Sequence, residues 1–235
     1  MAPSGTLFLV STPIGHYDDI TLRALHVLRE ADVVVCEERK EGERLLSHYG
    51  IRDKTVETLN EHNEAAATPH VLGFLRAGRN VALISDAGTP VISDPGLILV
   101  QSAIGAAIPV VPVPGPSSII PALTVSGFAI DRFVFCGFLS PKSGRRKTEL
   151  HALRHEARTM ILMDTPYRLL ALLRDVGEAL GGDRRVAIAF NLTQPGEMVL
   201  RGTASDLTAR LEKKNLKGEF VLIVEGRRAR NSRGD

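Results

Sequence analysis

The sequence predicts an α/β fold made of two α/β domains, the first around a mostly parallel sheet and the second around a mixed one. Three observations carry this. Through the first half, short runs of Val, Leu and Ile bounded by Gly and Pro alternate with helical patterns, as in parallel sheets covered on both faces. After Gly127, strand patterns follow one another with fewer helices between them. Several strand patterns also end in loops of Pro, Gly, Ser and Thr, where open α/β sheets place ligand sites.

In order, Thr6–Val10 reads as the first strand and leads into Ser11-Thr12-Pro13-Ile14-Gly15. Thr21 caps a helix whose apolar positions are Leu22, Leu25, Val27 and Leu28. Val33–Cys36 is a buried strand ending in the charged cluster Glu37-Glu38-Arg39-Lys40-Glu41, and 42–49 forms a short helix stopped by Gly50. Val56–Leu59 is a strand, and Ala65–Ala77 a helix interrupted by Pro69. Val81–Ile84 enters the stretch around which the half is organised, Ser85 to Gly96. Here Asp94 is expected to cap the next helix with Pro95 at its first position, and Gly88 to let the backbone come close to a ligand. Ordinary turn formation uses the same residue types. Pro109–Val113 is a further strand, after which Ser117 and Ser118 could cap a helix running from Ile119 to Val125.

In the second half, Arg132–Phe138, Thr159–Met163, Val186–Phe190, Met198–Arg201 and Phe220–Val224 read as strands. Leu169–Leu180 and Ser205–Lys213 read as helices. Pro141 to Lys147 is read as a basic loop at a strand end; it is either a solvated surface or a phosphate contact, through Lys142, Arg145, Arg146 and Lys147. The expected domains are 1–115 and 116–226, followed by a basic, disordered tail at 227–235.

Composition narrows the function classes. A chain of 235 residues with 44% hydrophobic and 24% charged residues builds a sizeable core, and a net charge of +2 gives no global polyanion-binding signal. The two cysteines, Cys36 and Cys136, lie in apolar runs and read as buried thiols; no metal-ligand spacing is present. No apolar run spans a bilayer and no leader pattern begins the chain, so a cytoplasmic protein without a membrane partner is expected. Nucleophile-elbow, phosphate-loop and dinucleotide signatures are all missing from the sequence. The Pro/Gly/Ser/Thr loops at strand ends in both halves imply a ligand held largely by backbone groups in a cleft between two domains.

The motifs in order are Thr12-Pro13-Ile14-Gly15 with Asp19-Ile20-Thr21, Ser85-Asp86-Ala87-Gly88-Thr89-Pro90 with Asp94-Pro95-Gly96, and Pro112-Val113-Pro114-Gly115-Pro116-Ser117. Asp131-Arg132-Phe133, Gly137-Phe138-Leu139 and Lys217-Gly218-Glu219 follow. With these motifs the chain resembles the tetrapyrrole methylase superfamily of S-adenosylmethionine-dependent methyltransferases, over residues 5–226. Within it, the chain is similar to the branch that methylates the 2′-oxygen of a cytidine ribose in small-subunit ribosomal RNA. The resemblance implies two α/β domains with the cofactor S-adenosylmethionine in the cleft between them, a homodimer, and ribosomal RNA or the small ribosomal subunit as partner. It places cofactor contacts near Pro13, Gly88, Thr89, Val91 and Ile92, near Ser117 and Ser118, and near Met163, Phe190, Asn191, Glu219 and Phe220. Of the strand-end acids Glu37, Asp86 and Asp164, Asp86 lies beside the expected methyl site, with Glu37 the second catalytic candidate. Arg39 joins the basic run as a substrate-binding residue.

The chain departs from that branch at Glu37–Lys40, at Met163–Arg168 and at Phe190–Gln194, all expected to face the substrate. A small-molecule acceptor resembling a tetrapyrrole macrocycle is the alternative.

Overall fold

The structure is a computed structural model and describes residues 4–214 and 216–227. Residues 228–235 of the expected tail lie outside the described residues; Arg227 lies within them and donates its backbone N–H to Glu156 O at 2.7 Å. The chain divides into two compact units, with the boundary between Ser117 and Ser118.

The first unit is a five-stranded sheet in the order β3-β2-β4-β1-β5, with every neighbouring pair parallel. Its strands are β1 (Leu7–Val10), β2 (Val33–Cys36), β3 (Thr55–Thr58), β4 (Val81–Ile84) and β5 (Val110–Val113). All four residues of β2 and of β4 are buried, because helices cover both faces. Val33 and Val35 join one core cluster with Leu72, Leu75 and Leu99. Val34 and Cys36 join the other with Ala24, Leu28 and Leu46. The helices are α1 (Leu22–Glu30), α2 (Arg39–His48), α3 (Glu64–Arg76) and α4 (Leu97–Gly105). Thr21 caps α1 as expected, its Oγ1 accepting from Ala24 N at 3.1 Å. Pro69 does not interrupt α3, which runs through it. The buried face of Val71, Leu72 and Leu75 holds the helix against the sheet despite one lost backbone bond.

The second unit has a mixed sheet, β6-β7-β10-β8-β9. β6 (Phe133–Phe138) and β7 (Thr159–Met163) are parallel. β10 (Phe220–Val224) runs antiparallel to β7 and to β8 (Arg185–Phe190), which pairs antiparallel with β9 (Met198–Thr203). Val186, Ile188, Leu222 and Val224 pack on one side, under α6 (Ser143–Ala152), α7 (Leu169–Leu180) and α8 (Ala204–Glu212). Ala187, Ala189, Val221 and Ile223 pack on the other with α5 (Ile119–Ser126). The expected parallel first sheet and mixed second sheet are both present.

Candidate functional site

The carboxyl edge of the first sheet gathers the loops that follow β1, β4 and β5. Thr12 and Gly88 exchange backbone hydrogen bonds of 2.9 and 3.0 Å, and Thr12 Oγ1 donates to Ser85 O at 2.9 Å. Ser11 Oγ donates to Thr89 Oγ1 at 3.3 Å, and Thr89 Oγ1 donates to Pro116 O at 3.2 Å. Three loops are thereby tied side by side, and Pro13 is buried among them. Gly88 also has a structural reason. Its φ is +89°, and a Cβ there would sit 3.3 Å from Ile14 Cγ2. The glycine is required by the bridge to Thr12 before any ligand arrives.

The β4–α4 loop is strained. Val91 and Ser93 have φ of 73° and 65°, a left-handed conformation that a β-branched valine rarely takes. Ile92 between them is exposed. Asp94 does not cap α4. Its Oδ2 accepts from Ser85 Oγ at 2.6 Å, and α4 begins after Gly96. The capping group is Glu64 of α3, whose Oε1 accepts from Gly96 N at 2.9 Å and Ile98 N at 2.7 Å. Nothing near residue 96 announced this, because the partner lies 32 residues earlier. At α5 the structure places Ser118 at the N-cap without a side-chain capping bond.

Three carboxyls at this edge are held above their ordinary range. Burial raises Asp86, and Glu41, Glu38 and Asp94 add to it, against the opposing effect of the Glu38 N–H that reaches Asp86 Oδ1 at 3.4 Å. Burial raises Glu37 as well, followed by the charges of Asp86 and Asp94. Asp94 is raised by burial against its bond from Ser85. Cys36, below them at the end of β2, is pushed up to about 11 by burial and by Asp86, so it stays a thiol. Crowded carboxylates favour a cationic ligand, and a carboxylate with a raised pKa is a stronger base.

In the second unit the expected contacts also share one edge. Met163 pairs with Val221, and Phe190 pairs with Phe220. Asn191 N donates to Glu219 O at 2.8 Å, with Asn191 at φ 48°. Burial raises the Glu219 carboxyl. Asp164, one residue past Met163, is fully buried; its Oδ1 accepts from Arg168 Nε at 2.8 Å and Thr165 N at 2.7 Å. Asp164 is therefore committed to Arg168 and the backbone of its own loop, while its Oδ2 is buried without a hydrogen-bond partner among the described residues.

The basic run is not a loop. Ser143 to Ala152 is helix α6, and Arg146 is buried, with Nη2 2.6 Å and Nε 2.7 Å from Asp175 Oδ2. Ser143 Oγ donates to the same carboxylate, Lys147 pairs with Glu178 at 2.5 Å, and Arg145 pairs with Glu149 at 3.3 Å. Arg146 therefore joins α6 to α7 and is not displayed for substrate, and most of the run is neutralised internally. A signal for this was present: Asp175 falls between Leu172 and Ala179 on the apolar stripe of α7, where a charge needs a buried partner. Arg39, half-exposed, pairs with Glu43 one turn along α2 at 3.6 Å.

The sequence profile of the tetrapyrrole (corrin/porphyrin) methylases matches residues 6–208. The chain belongs to this family of methyltransferases. It is 47% identical over 219 residues to ribosomal RNA small subunit methyltransferase I of Mesorhizobium japonicum, covering 93% of this chain and 74% of that protein. To the protein of the same name from Xylella fastidiosa it is 42% identical over 228 residues, covering 96% and 83%. Among solved structures, uroporphyrin-III-C-methyltransferase from Thermus thermophilus matches with a TM-score of 0.66 at 24% identity, over 94% of both chains. A cobalt precorrin-4 methyltransferase matches with a TM-score of 0.67 at 18% identity, again over 94% of both. These structural likenesses show the fold. Among the described residues no group of His, Cys, Asp or Glu could hold a metal, and no helix is long and apolar enough to cross a membrane.

Proposed function

We propose that this protein transfers a methyl group from S-adenosylmethionine to the 2′-oxygen of a cytidine ribose in small-subunit ribosomal RNA. The observation that carries the reading is identity of 47% across 93% of the chain to a ribosomal RNA small subunit methyltransferase I. That level favours an RNA acceptor over a macrocycle, since the macrocycle enzymes share 24% identity or less in the matches above.

The residues present fit the methyl donor. The donor is cationic at its sulfur, and the edge formed by Glu37, Asp86 and Asp94 carries crowded carboxyls whose raised pKa values a nearby cation would lower again. The loops at Pro13, Gly88 to Ile92 and Ser117–Ser118 would hold it, together with Met163, Phe190, Asn191, Glu219 and Phe220. Bound there, S-adenosylmethionine would supply a methyl carbon activated by its positively charged sulfur, with a neutral thioether as the leaving group for attack by the ribose oxygen. Asp86 accepts the hydroxyl proton, its raised pKa improving it as a base, and Glu37 beside it holds the negative field that orients the site. The protein acts in the cytoplasm, where ribosomal subunits are assembled, and as a homodimer, which light scattering checks.

The test is to map ribose methylation of host small-subunit RNA with and without the protein, and to repeat the transfer with purified protein and labelled donor. One ribose methyl that disappears with the protein and returns in vitro supports the reading. Methylation of no RNA ribose, under conditions where the protein binds S-adenosylhomocysteine, overturns it.

A further inference from the structure

The second unit carries two adjoining cavities that the proposed reaction does not use. Both lie where β6, β7 and β8 begin and β10 ends, the opposite edge of the sheet from Met163, Phe190 and Phe220. Their volumes are about 570 and 590 Å³, and they share Arg185, Glu225, Gly226 and Arg227. The first is also walled by Arg154, His155, Asp183 and Arg184, and the second by Arg132, Glu156 and Arg158.

Sorting the charges shows which are already answered. Glu156 is taken by Arg158 through contacts of 2.8 and 2.9 Å, and Glu225 by Arg185 at 3.3 Å. Arg184 is held differently. Its guanidinium donates to the backbone carbonyls of Glu225 at 3.2 Å, Arg154 at 3.2 Å and Leu180 at 3.4 Å. Carbonyls fix the direction of a guanidinium, and the carboxylates that act on it, Asp183 and Glu225, line the same cavity without a direct ion pair to it. The Arg227 guanidinium touches the His155 ring, and among the described residues Arg154 has no ion pair. Arg154, Arg184 and Arg227 therefore bring three cationic side chains to one cavity. Burial pushes Arg184 down, Asp183 and Glu225 oppose it, and the charge of Arg227 adds to the lowering. Directly after Arg227 the sequence continues with Arg228, Arg230 and Arg233.

We propose that this arginine-walled pair of cavities binds the phosphate backbone of the RNA substrate. The inference rests on the RNA reading of the function and places the RNA's second foothold away from the methyl-transfer edge. Two cavities side by side, sharing Arg185 and Arg227, suit a chain of regularly repeated anions more than one small anion. The run from Lys142 to Lys147, by contrast, spends Arg145, Arg146 and Lys147 on carboxylates of its own unit. Guanidinium groups match phosphate oxygens in paired hydrogen bonds, which fixes the register of the backbone without reading bases.

The test uses the full chain and in-vitro transcribed small-subunit ribosomal RNA. Arg154 and Arg227 are exposed, so R154Q/R227Q leaves the fold and the S-adenosylhomocysteine affinity unchanged. The variant should bind the RNA on the order of tenfold more weakly or worse, and the slope of log K against log salt should become shallower by about two. A control, K142Q/R145Q, should leave the slope as it is in the wild type. An unchanged slope and affinity in R154Q/R227Q, with a wild type that methylates the RNA, overturns this inference and leaves the proposed function standing. A wild type that binds S-adenosylhomocysteine but neither binds nor methylates the RNA overturns both.

Discussion

Thr12 and Gly88 exchange two backbone hydrogen bonds, so the loops that follow β1 and β4 are joined before any ligand is present. Gly88→Ala therefore acts on the fold as well as on binding. Forcing a side chain into φ +89° costs about 1–2 kcal/mol, and Ile14 has to give way. We expect a lowered thermal midpoint together with weaker S-adenosylhomocysteine binding by calorimetry. A variant with normal stability that simply fails to bind would show that the bridge does not depend on the glycine.

Arg146 and Asp175 form a buried pair, and removing one partner strands the other charge. Arg146→Met is expected to destabilise the protein by roughly 3–5 kcal/mol in urea unfolding, and the double change with Asp175→Leu to recover much of that. Where the double variant folds, its RNA affinity should equal that of the wild type, because Arg146 faces the protein interior.

Glu64 holds the start of α4 from another helix. Glu64→Ala removes the acceptor for Gly96 N–H and Ile98 N–H and should cost about 1–2 kcal/mol. The strained Val91–Ser93 turn runs directly into this helix start, so hydrogen exchange at residues 91–98 should speed up more than at β4. Uniform exchange would argue against a local anchoring role.

Asp86 and Glu37 give two pH signatures. A base with a raised pKa loses its ionised form as pH falls through that raised value. The acid limb of the methylation rate should thus lie above the ordinary carboxylate range, and Asp86→Asn should lose the limb along with most of the rate. For stability the sign is the reverse of a salt-bridged acid. A folded-state pKa above the unfolded one gives stability that is full below the unfolded value and lost as pH rises through the folded one. Glu37→Gln should raise the thermal midpoint near neutral pH, and the gain should shrink on acidification. A gain that grows on acidification would contradict the raised pKa.

Strand order, most of the helices, the parallel first sheet, the mixed second sheet and the Thr21 cap were legible in the chain because they depend on local signals: apolar runs, turn residues and a hydroxyl three residues before its N–H partner. The same local signals picked out the loops after β1, β4 and β5, whose residues the fold sets side by side at one sheet edge. What only the tertiary structure decided depends on partners far apart in sequence. Asp94 is drawn to Ser85 and leaves the α4 cap to Glu64; Pro69 stays in its helix because a sheet packs against Val71 and Leu75; the basic run becomes helix α6 because Asp175 takes Arg146. Charge in a sequence states how many ions there are. Whether each one faces solvent, a ligand or a buried counter-ion is fixed when the elements pack, since desolvation and pairing act over a few ångströms of space and at any distance along the chain.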